Sequence, residues 1–190
     1  MTEKALLRKE KLAARRELSS SQITVLSESI CRNFLASREY KAASTILLYK
    51  AYNNEVDTDE IFKKAISDGK TVAYPVSAVV NGEPEMSFFV VTGPDQFREG
   101  FKGIPEPDTE TAGEMVSGSA DICVTPGAVY DRNCNRIGYG MAFYDRYIRL
   151  NAPKTVIGLA FDLQIVNGFE AEDGDVPVDM VITESEIIRR

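Results

Sequence analysis

Most of the residues able to do chemistry on a phosphate fall in one stretch, Arg136-Ile137-Gly138-Tyr139-Gly140-Met141-Ala142-Phe143-Tyr144-Asp145-Arg146. Two glycines let backbone N–H groups approach a ligand closely, and a helix starting behind them favours an anion, usually phosphate. Arg136 and Arg146 flank the loop and add charge-assisted hydrogen bonds to phosphate oxygens. Asp145 is the outlier, because a carboxylate beside phosphates makes sense chiefly with Mg²⁺ between them. The same residues would also serve as a plain glycine turn leading into an ordinary helix, since a lone G-x-G occurs in both settings.

The elements that must hold this loop are legible around it. Ile122-Cys123-Val124 is a short apolar run closed by Thr125-Pro126-Gly127, and Phe143, Tyr147, Ile148 and Leu150 follow a helical spacing. The order is strand, irregular segment, glycine loop, helix. Upstream, Ala43–Tyr49 is nearly continuous in apolar residues, as expected of a parallel strand covered on both faces. A loop, Lys50–Thr58, then leads to a helix over 59–68 with Asp57 or Thr58 as its cap and Gly69 at its end. Strand Thr71–Val76 completes a βαβ unit, in which ligands bind at the loop after the first strand. Glu55 lies in that loop, either complementing the helix dipole or facing a ligand. Further strands are expected at Met86–Val91, Thr155–Phe161 and Met180–Thr183, whereas residues 92–120 carry little periodicity. Asp173, Asp175 and Asp179 precede the last strand, as a solvated turn or as a metal-binding edge.

The amino-terminal residues 1–18 carry +3 and the remainder −10, and Lys4, Arg8, Lys11 and Arg15 recur along one side of a helix. That face is either solvated or a local attractor for a polyanion. Ser19 and Gln22 fit a capping box for a second helix, ending near Ser37–Tyr40, whose Ile23, Leu26, Ile30 and Phe34 form one buried stripe.

Composition removes many chemistries. The 190 residues contain no histidine, so neither a Ser-His-Asp or Cys-His centre nor a His-built zinc site is available. Carboxylates, Lys/Arg, Tyr, Cys, backbone amides or a hard metal ion must act instead, which suits phosphoryl transfer. A net charge of −7 argues against a nucleic-acid partner. No apolar run approaches membrane-spanning length, and no signal-peptide pattern is present, so a cytoplasmic protein without membrane association is expected. Three cysteines, Cys31, Cys123 and Cys134, fit a reducing compartment. The length suits one domain over 1–190.

Thr125-Pro126-Gly127-Ala128-Val129-Tyr130-Asp131 followed by Arg136 through Arg146 resembles the signature of the 5-formyltetrahydrofolate cyclo-ligases. The chain departs from that signature at Ala142, where the family usually has a third glycine, and at Phe143, where it usually has tyrosine. Lys4-Ala5-Leu6-Leu7-Arg8, Glu55-Val56-Asp57-Thr58, Gly103–Pro107, Gly158–Gln164 and Asp175–Asp179 are similar to further family elements, in the family's order. The resemblance implies an α/β fold, a three-layer domain with a largely parallel sheet akin to ribose-phosphate isomerase and CoA-transferase folds. It implies ATP- and Mg²⁺-dependent cyclisation of 5-formyltetrahydrofolate to 5,10-methenyltetrahydrofolate, through phosphorylation of the formyl oxygen. In residue terms it implies ATP contacts from Lys4 through Arg8 and from Arg136 through Tyr144. Arg136, Lys4 and Arg8 would serve the reacting phosphates, Asp145 and Asp175 would hold Mg²⁺, and Lys50, Glu55, Tyr139 and Phe143 would meet the folate. Two other readings keep the fold: a non-catalytic nucleotide or folate binder, and a sugar-phosphate isomerase, which would leave both aspartates unexplained.

Overall fold

A computed structural model describes residues 2–190, so Met1 lies outside the description. In chain order the elements are α1 (Glu3–Arg16), α2 (Ser20–Ala36), α3 (Arg38–Ala42), β1 (Thr45–Leu47), α4 (Asp59–Ser67), β2 (Thr71–Val80) and β3 (Glu83–Val90). There follow β4 (Phe97–Glu99), β5 (Pro105–Pro107), β6 (Ile122–Thr125), β7 (Val129–Asp131), β8 (Arg136–Ile137) and α5 (Phe143–Asn151). The chain closes with β9 (Thr155–Leu159), β10 (Ile165–Val166), β11 (Met180–Ile182) and β12 (Ile187–Arg189).

Seven strands form the central sheet in the order β12-β11-β9-β6-β1-β2-β3. The inner pairs are parallel, and antiparallel β12 and β3 close the two edges. The apolar runs are buried on both sides because alternate residues serve opposite faces. Ile46, Val72, Ile122, Val124, Ile157 and Met180 pack beneath Ile30 and Phe34 of α2 and Ile61 and Ala65 of α4. Leu47, Ala73 and Cys123 face the other way, against Tyr147 of α5. Helices therefore cover both faces, and the expected three-layer α/β arrangement holds.

Several local expectations hold as well. Ser19 and Gln22 form a reciprocal capping box at α2. Asp57, not Thr58, supplies the side-chain bond at α4, accepting from Asp59 N at 2.8 Å, while Thr58 Oγ1 donates to Tyr49 O at 2.7 Å. Other elements differ. The expected strand Met86–Val91 is the second arm of a hairpin, β2–β3, turning on Asn81-Gly82 with both φ values positive, 53° and 85°. An Asn-Gly pair is the residue choice for that two-residue turn. The irregular segment before the glycine loop contains β7 and β8, which pair with β10 in a second, three-stranded sheet. Its turn is held by buried Asp131, which accepts from Asn133 N, Asn135 N and Asn135 Nδ2 at 2.8–2.9 Å. Leu150 is 72% exposed and lies outside the core. Among the described residues no helix is long and apolar enough to cross a membrane.

Two carboxylates tie distant segments together. Lys154 and the backbone N–H groups of Ser44 and Thr45 hold Asp121 down to about 2. Arg189 does the same for Glu39, also to about 2. Both groups are held below their unfolded values, so the stability they contribute is complete above the unfolded range, about pH 4. It is lost as pH falls towards about 2. Chemical denaturation should therefore show stability declining across that window, with Asp121→Asn costing about 1–3 kcal/mol at neutral pH and flattening the decline.

Candidate active site

Strand β1 connects through α4 to β2 on one side, and β6 connects through α5 to β9 on the other. The β1–β6 boundary is thus a switch point, and loops leaving neighbouring strand ends in opposite directions open a crevice there. A cleft of about 810 Å³ occupies it. That volume is at the upper end of the usual range for small-ligand sites, roughly 300–1,000 Å³. Its walls are α1, the loop after β1, the loop Phe101–Glu106, the glycine loop and the segment carrying Glu172 and Asp175.

Helix α1 presents Lys4, Arg8, Leu12 and Arg15 to the cleft, positions three or four apart on one face. Lys4 Nζ donates to Asp175 Oδ1 and Oδ2 at 2.9 and 2.6 Å and lies 3.2 Å from Glu172 Oε2. Burial opposes its charge, but these carboxylates outweigh burial and hold Lys4 above its ordinary range. Arg8 Nε donates to Gly138 O at 2.8 Å, docking the helix on the glycine loop. Ala5, Leu6 and Leu7, expected at the nucleotide from their place in the motif, do not line the cleft. The helical turn carries them away: Leu6 is 52% exposed, and Leu7 packs on Ala128, Val129 and Ile137.

Residues Arg136 through Asp145 all line the cleft. Arg136 is buried rather than standing at the mouth of the loop. Its Nη2 donates to Asp145 Oδ2 at 2.9 Å and its Nη1 to Pro126 O at 3.3 Å. A Cβ on Gly138 would lie 2.8 Å from Arg136 Nη1, so any larger residue there would displace the guanidinium. Arg136 Nε is buried and has no hydrogen-bond partner among the described residues, leaving one donor unused. Gly140 has φ +92°, the left-handed region that glycine tolerates. Ala142 adopts the same region, φ 53°, immediately before α5, and that helix start carries no side-chain cap. Its first turn, Phe143 to Asp145, lines the cleft, and N–H donors without a side-chain cap are what an anion site uses. Left-handed backbone costs an L-residue roughly 1–2 kcal/mol, partly offset by the greater unfolded freedom of glycine. Ala142→Gly should accordingly raise stability by about 0.5–1 kcal/mol in denaturant titrations. Arg146 donates to Glu83 at 2.8 Å and does not line the cleft, so its expected place beside a phosphate is not the one it occupies.

Across the cleft, Glu55 Oε2 accepts from Tyr52 N at 3.0 Å and Oε1 accepts from the Tyr139 hydroxyl. Burial raises Glu55, with the Tyr139 bond and the Arg15 charge opposing that rise. Lys50 pairs with Asp59 and lies 5.6 Å from the Phe97 ring centroid, on the same wall. Phe143 meets Phe101 edge to face at 5.4 Å between centroids. Buried Glu106 holds the Phe101 loop in place, accepting from Ser77 N at 3.0 Å and Phe101 N at 3.2 Å. Gln164, equally buried, donates to Gly127 O and Ala128 O at 2.8 and 3.2 Å and braces the wall from behind. Asp179 accepts from Val156 N at 2.7 Å, a backbone role.

Asp145 stands in the first turn of α5 and Asp175 in the loop before β11, so neither lies at a strand end. Their segments are joined by one bond, Val176 N donating to Asp145 Oδ1 at 3.1 Å, and both residues line the cleft. Mg²⁺ takes one or two protein carboxylates and completes its shell with water and phosphate oxygens. Among the described residues no group of three or more His, Cys, Asp or Glu is placed to hold an ion. The donor set thus fits an ion shared with phosphates rather than a protein-only cage.

Arg15 was named on the basic face of α1 by the sequence but given no individual role. It is 2% exposed and reaches Asn53 O, Gly127 O and the Tyr139 hydroxyl at 3.0, 3.3 and 2.9 Å. The signal was its seven-residue spacing from Arg8 on the same face of the helix.

The comparisons with known proteins agree over nearly the whole chain. A solved structure of Aquifex aeolicus 5,10-methenyltetrahydrofolate synthetase superposes with a TM-score of 0.84 at 29% identity, covering 99% of this chain and 93% of that one. A second, from Mycoplasma pneumoniae, shares the fold with a TM-score of 0.70 at 24% identity, covering 97% and 100%. In sequence, a probable 5-formyltetrahydrofolate cyclo-ligase of Caenorhabditis elegans is 28% identical over 90% of this chain and 88% of its own length. The Haemophilus influenzae 5-formyltetrahydrofolate cyclo-ligase is 28% identical over 86% and 88%. The model of the 5-formyltetrahydrofolate cyclo-ligase family matches residues 1–184, and the chain belongs to that family.

Proposed function

We propose that this chain, acting as one domain over residues 1–190, cyclises 5-formyltetrahydrofolate to 5,10-methenyltetrahydrofolate at the expense of ATP, releasing ADP and phosphate. The observation that carries the reading is the cleft itself. One wall is built of cations and an uncapped helix start, and the opposite wall carries a part-buried carboxylate, Glu55, with one protein donor on each oxygen. The first wall suits a triphosphate, and the second suits the amino-pyrimidine edge of a pterin, which presents adjacent N–H donors.

A formamide oxygen is a poor leaving group. Transfer of the γ-phosphoryl group to it activates the formyl carbon, the aniline nitrogen of the folate attacks, and phosphate departs with the oxygen. The protein's part is to align the two substrates and neutralise spreading charge. Lys4, Arg8, Arg136 and the amides around Gly138 and Gly140 serve the phosphates, while Lys50, Glu55, Tyr139 and Phe143 face the folate. Asp145 and Asp175 would hold Mg²⁺ arriving with the nucleotide, and the ion would supply charge neutralisation. In the free protein, Arg136 and Lys4 are neutralised by those same two carboxylates. Nucleotide and metal would then offer new partners to both, phosphate to the cations and the ion to the carboxylates.

Phosphate release from ATP, measured with and without 5-formyltetrahydrofolate alongside the near-ultraviolet absorbance of the methenyl product, tests the proposal. Release is expected only with the folate present, and in equal amount to product. Product without ATP would contradict the activation step, and tight binding without turnover would make the chain a binder.

A further inference from the structure

We propose that Arg15 is a positioning residue for Glu55, acting through the Tyr139 hydroxyl to fix the carboxylate plane that receives the pterin edge. The proposal rests on the reading of Glu55 as the pterin acceptor given above.

An ionised carboxylate offers about four lone-pair directions, two on each oxygen. In the free protein one direction on each oxygen is taken, Oε2 by Tyr52 N–H and Oε1 by Tyr139 O–H. One remains on each, which is the pattern that a ligand edge with two adjacent N–H donors requires. Two bonds to opposite oxygens also stop the carboxylate rotating about its last torsion, which is otherwise broad. Of those two donors, Tyr52 N–H is backbone. The other is a phenol set between Gly138 and Gly140, on a residue that is 44% exposed. Something must hold that phenol in place, and Arg15 does so. Its Nη1 donates to the hydroxyl at 2.9 Å, its guanidinium lies 5.7 Å from the Tyr139 ring centroid, and its remaining bonds anchor it to Asn53 O and Gly127 O. Both anchors belong to cleft loops, the first of them the loop that carries Glu55.

The arrangement has an electrical side. The phenol accepts from a guanidinium and donates to a carboxylate, so it passes the cation's influence to the anion. Arg15 itself touches no carboxylate oxygen directly. The other ionisable groups near enough to sense Glu55 are the buried phenols of Tyr49, Tyr130 and Tyr144, which burial pushes up so that they remain neutral. Burial is the largest influence on Glu55, and Tyr139, Arg15 and the Tyr52 N–H are what oppose it. Losing either bond moves it toward the protonated form, in which one oxygen becomes a donor and repels the pterin N–H.

The test uses the whole chain and equilibrium binding of 5-formyltetrahydrofolate from pH 5 to 9, with ATP binding measured alongside. Tyr139→Phe keeps the ring and removes the hydroxyl. It should weaken folate binding about tenfold or more, by a larger factor than it changes ATP binding, and move the acid limb of the binding profile to higher pH. Arg15→Gln should shift the acid limb in the same direction. Should loss of its anchors prevent folding, Tyr139→Phe alone decides. Glu55→Gln is the control that separates the two readings. If Glu55→Gln weakens folate binding while Tyr139→Phe leaves both affinity and acid limb unchanged, the positioning role is wrong and the proposed acceptor stands. If neither substitution affects folate binding, Glu55 is not the acceptor and both readings fall.

Discussion

Arg136→Ala should lower turnover by about 10²-fold or more, the order seen when one preorganised donor to developing charge is removed. Two observations make Arg136 the strongest candidate on the cationic wall. It lines the cleft from a buried position, where a charge acts through little water, and its Nε has no protein partner. The same burial gives the substitution a second consequence. Asp145 loses the cation at 2.9 Å, and stranding one member of a buried pair costs about 3–5 kcal/mol. Activity must therefore be read together with a denaturant titration. Arg136→Lys separates the effects. Lysine keeps a charge for Asp145 and should recover most of the stability, but it lacks the planar fork that serves Pro126, Asp145 and a phosphate at once, so turnover should stay depressed. A well-folded Arg136→Ala protein turning over near the wild-type rate would reduce Arg136 to a counterion for Asp145.

That dual character marks where reading the sequence stops. Fold class was legible because buried parallel strands are nearly continuous apolar runs. Ile46 through Tyr49 and Val156 through Phe161 announce themselves, and capped helical stripes lie between such runs. The small second sheet was not legible, because its strands are two or three residues long and are organised by Asp131 accepting bonds inside its own turn. The Asn81-Gly82 hairpin carried an adequate turn signal, but Ala78-Val79-Val80 before it are apolar and yet exposed, because the arm leaves the core beyond Ser77. At the site, spacing showed which residues of α1 share a face but not which face turns inward. Arg15 was consequently left without a role of its own, and Leu6 was placed at the nucleotide only because the motif resemblance spans it. The pairs Lys4–Asp175 and Arg136–Asp145 join residues that composition and motif can name singly but not join. Lys4 and Asp175 are 171 positions apart, and only the packing of α1 over the cleft brings them together.

Those pairs also shape what removing the proposed metal ligands should do. Asp145→Asn is expected to raise the Mg²⁺ concentration needed for half-maximal turnover sharply and to lower turnover itself. Asp175→Asn should act in the same direction but less. The asymmetry follows from the free protein. Asp145 is the carboxylate bonded to Arg136, whose side chain is 3% exposed, and it also accepts from Val176 N. Asp175 is 22% exposed, and its partner Lys4 has Glu172 at 3.2 Å in reserve. Without nucleotide, Asp145→Asn should therefore cost several kcal/mol, on the order of 3–5 for a buried pair. Asp175→Asn should cost roughly 1 kcal/mol or less, as for a partly exposed pair. Mg²⁺ alone should stabilise none of the proteins much, because two carboxylates already engaged by cations offer little without phosphate oxygens. ATP with Mg²⁺ should raise the melting temperature of the wild type more than ATP alone does, and that difference should shrink in each variant. If one ion is shared, the double variant loses less than the sum of the singles in this metal-dependent increment, because each single change already disables the common site. Independent, additive losses would mean the two carboxylates do not share an ion. Asp175 would then be left as the counterion of Lys4, and Asp145 alone would remain as the metal ligand.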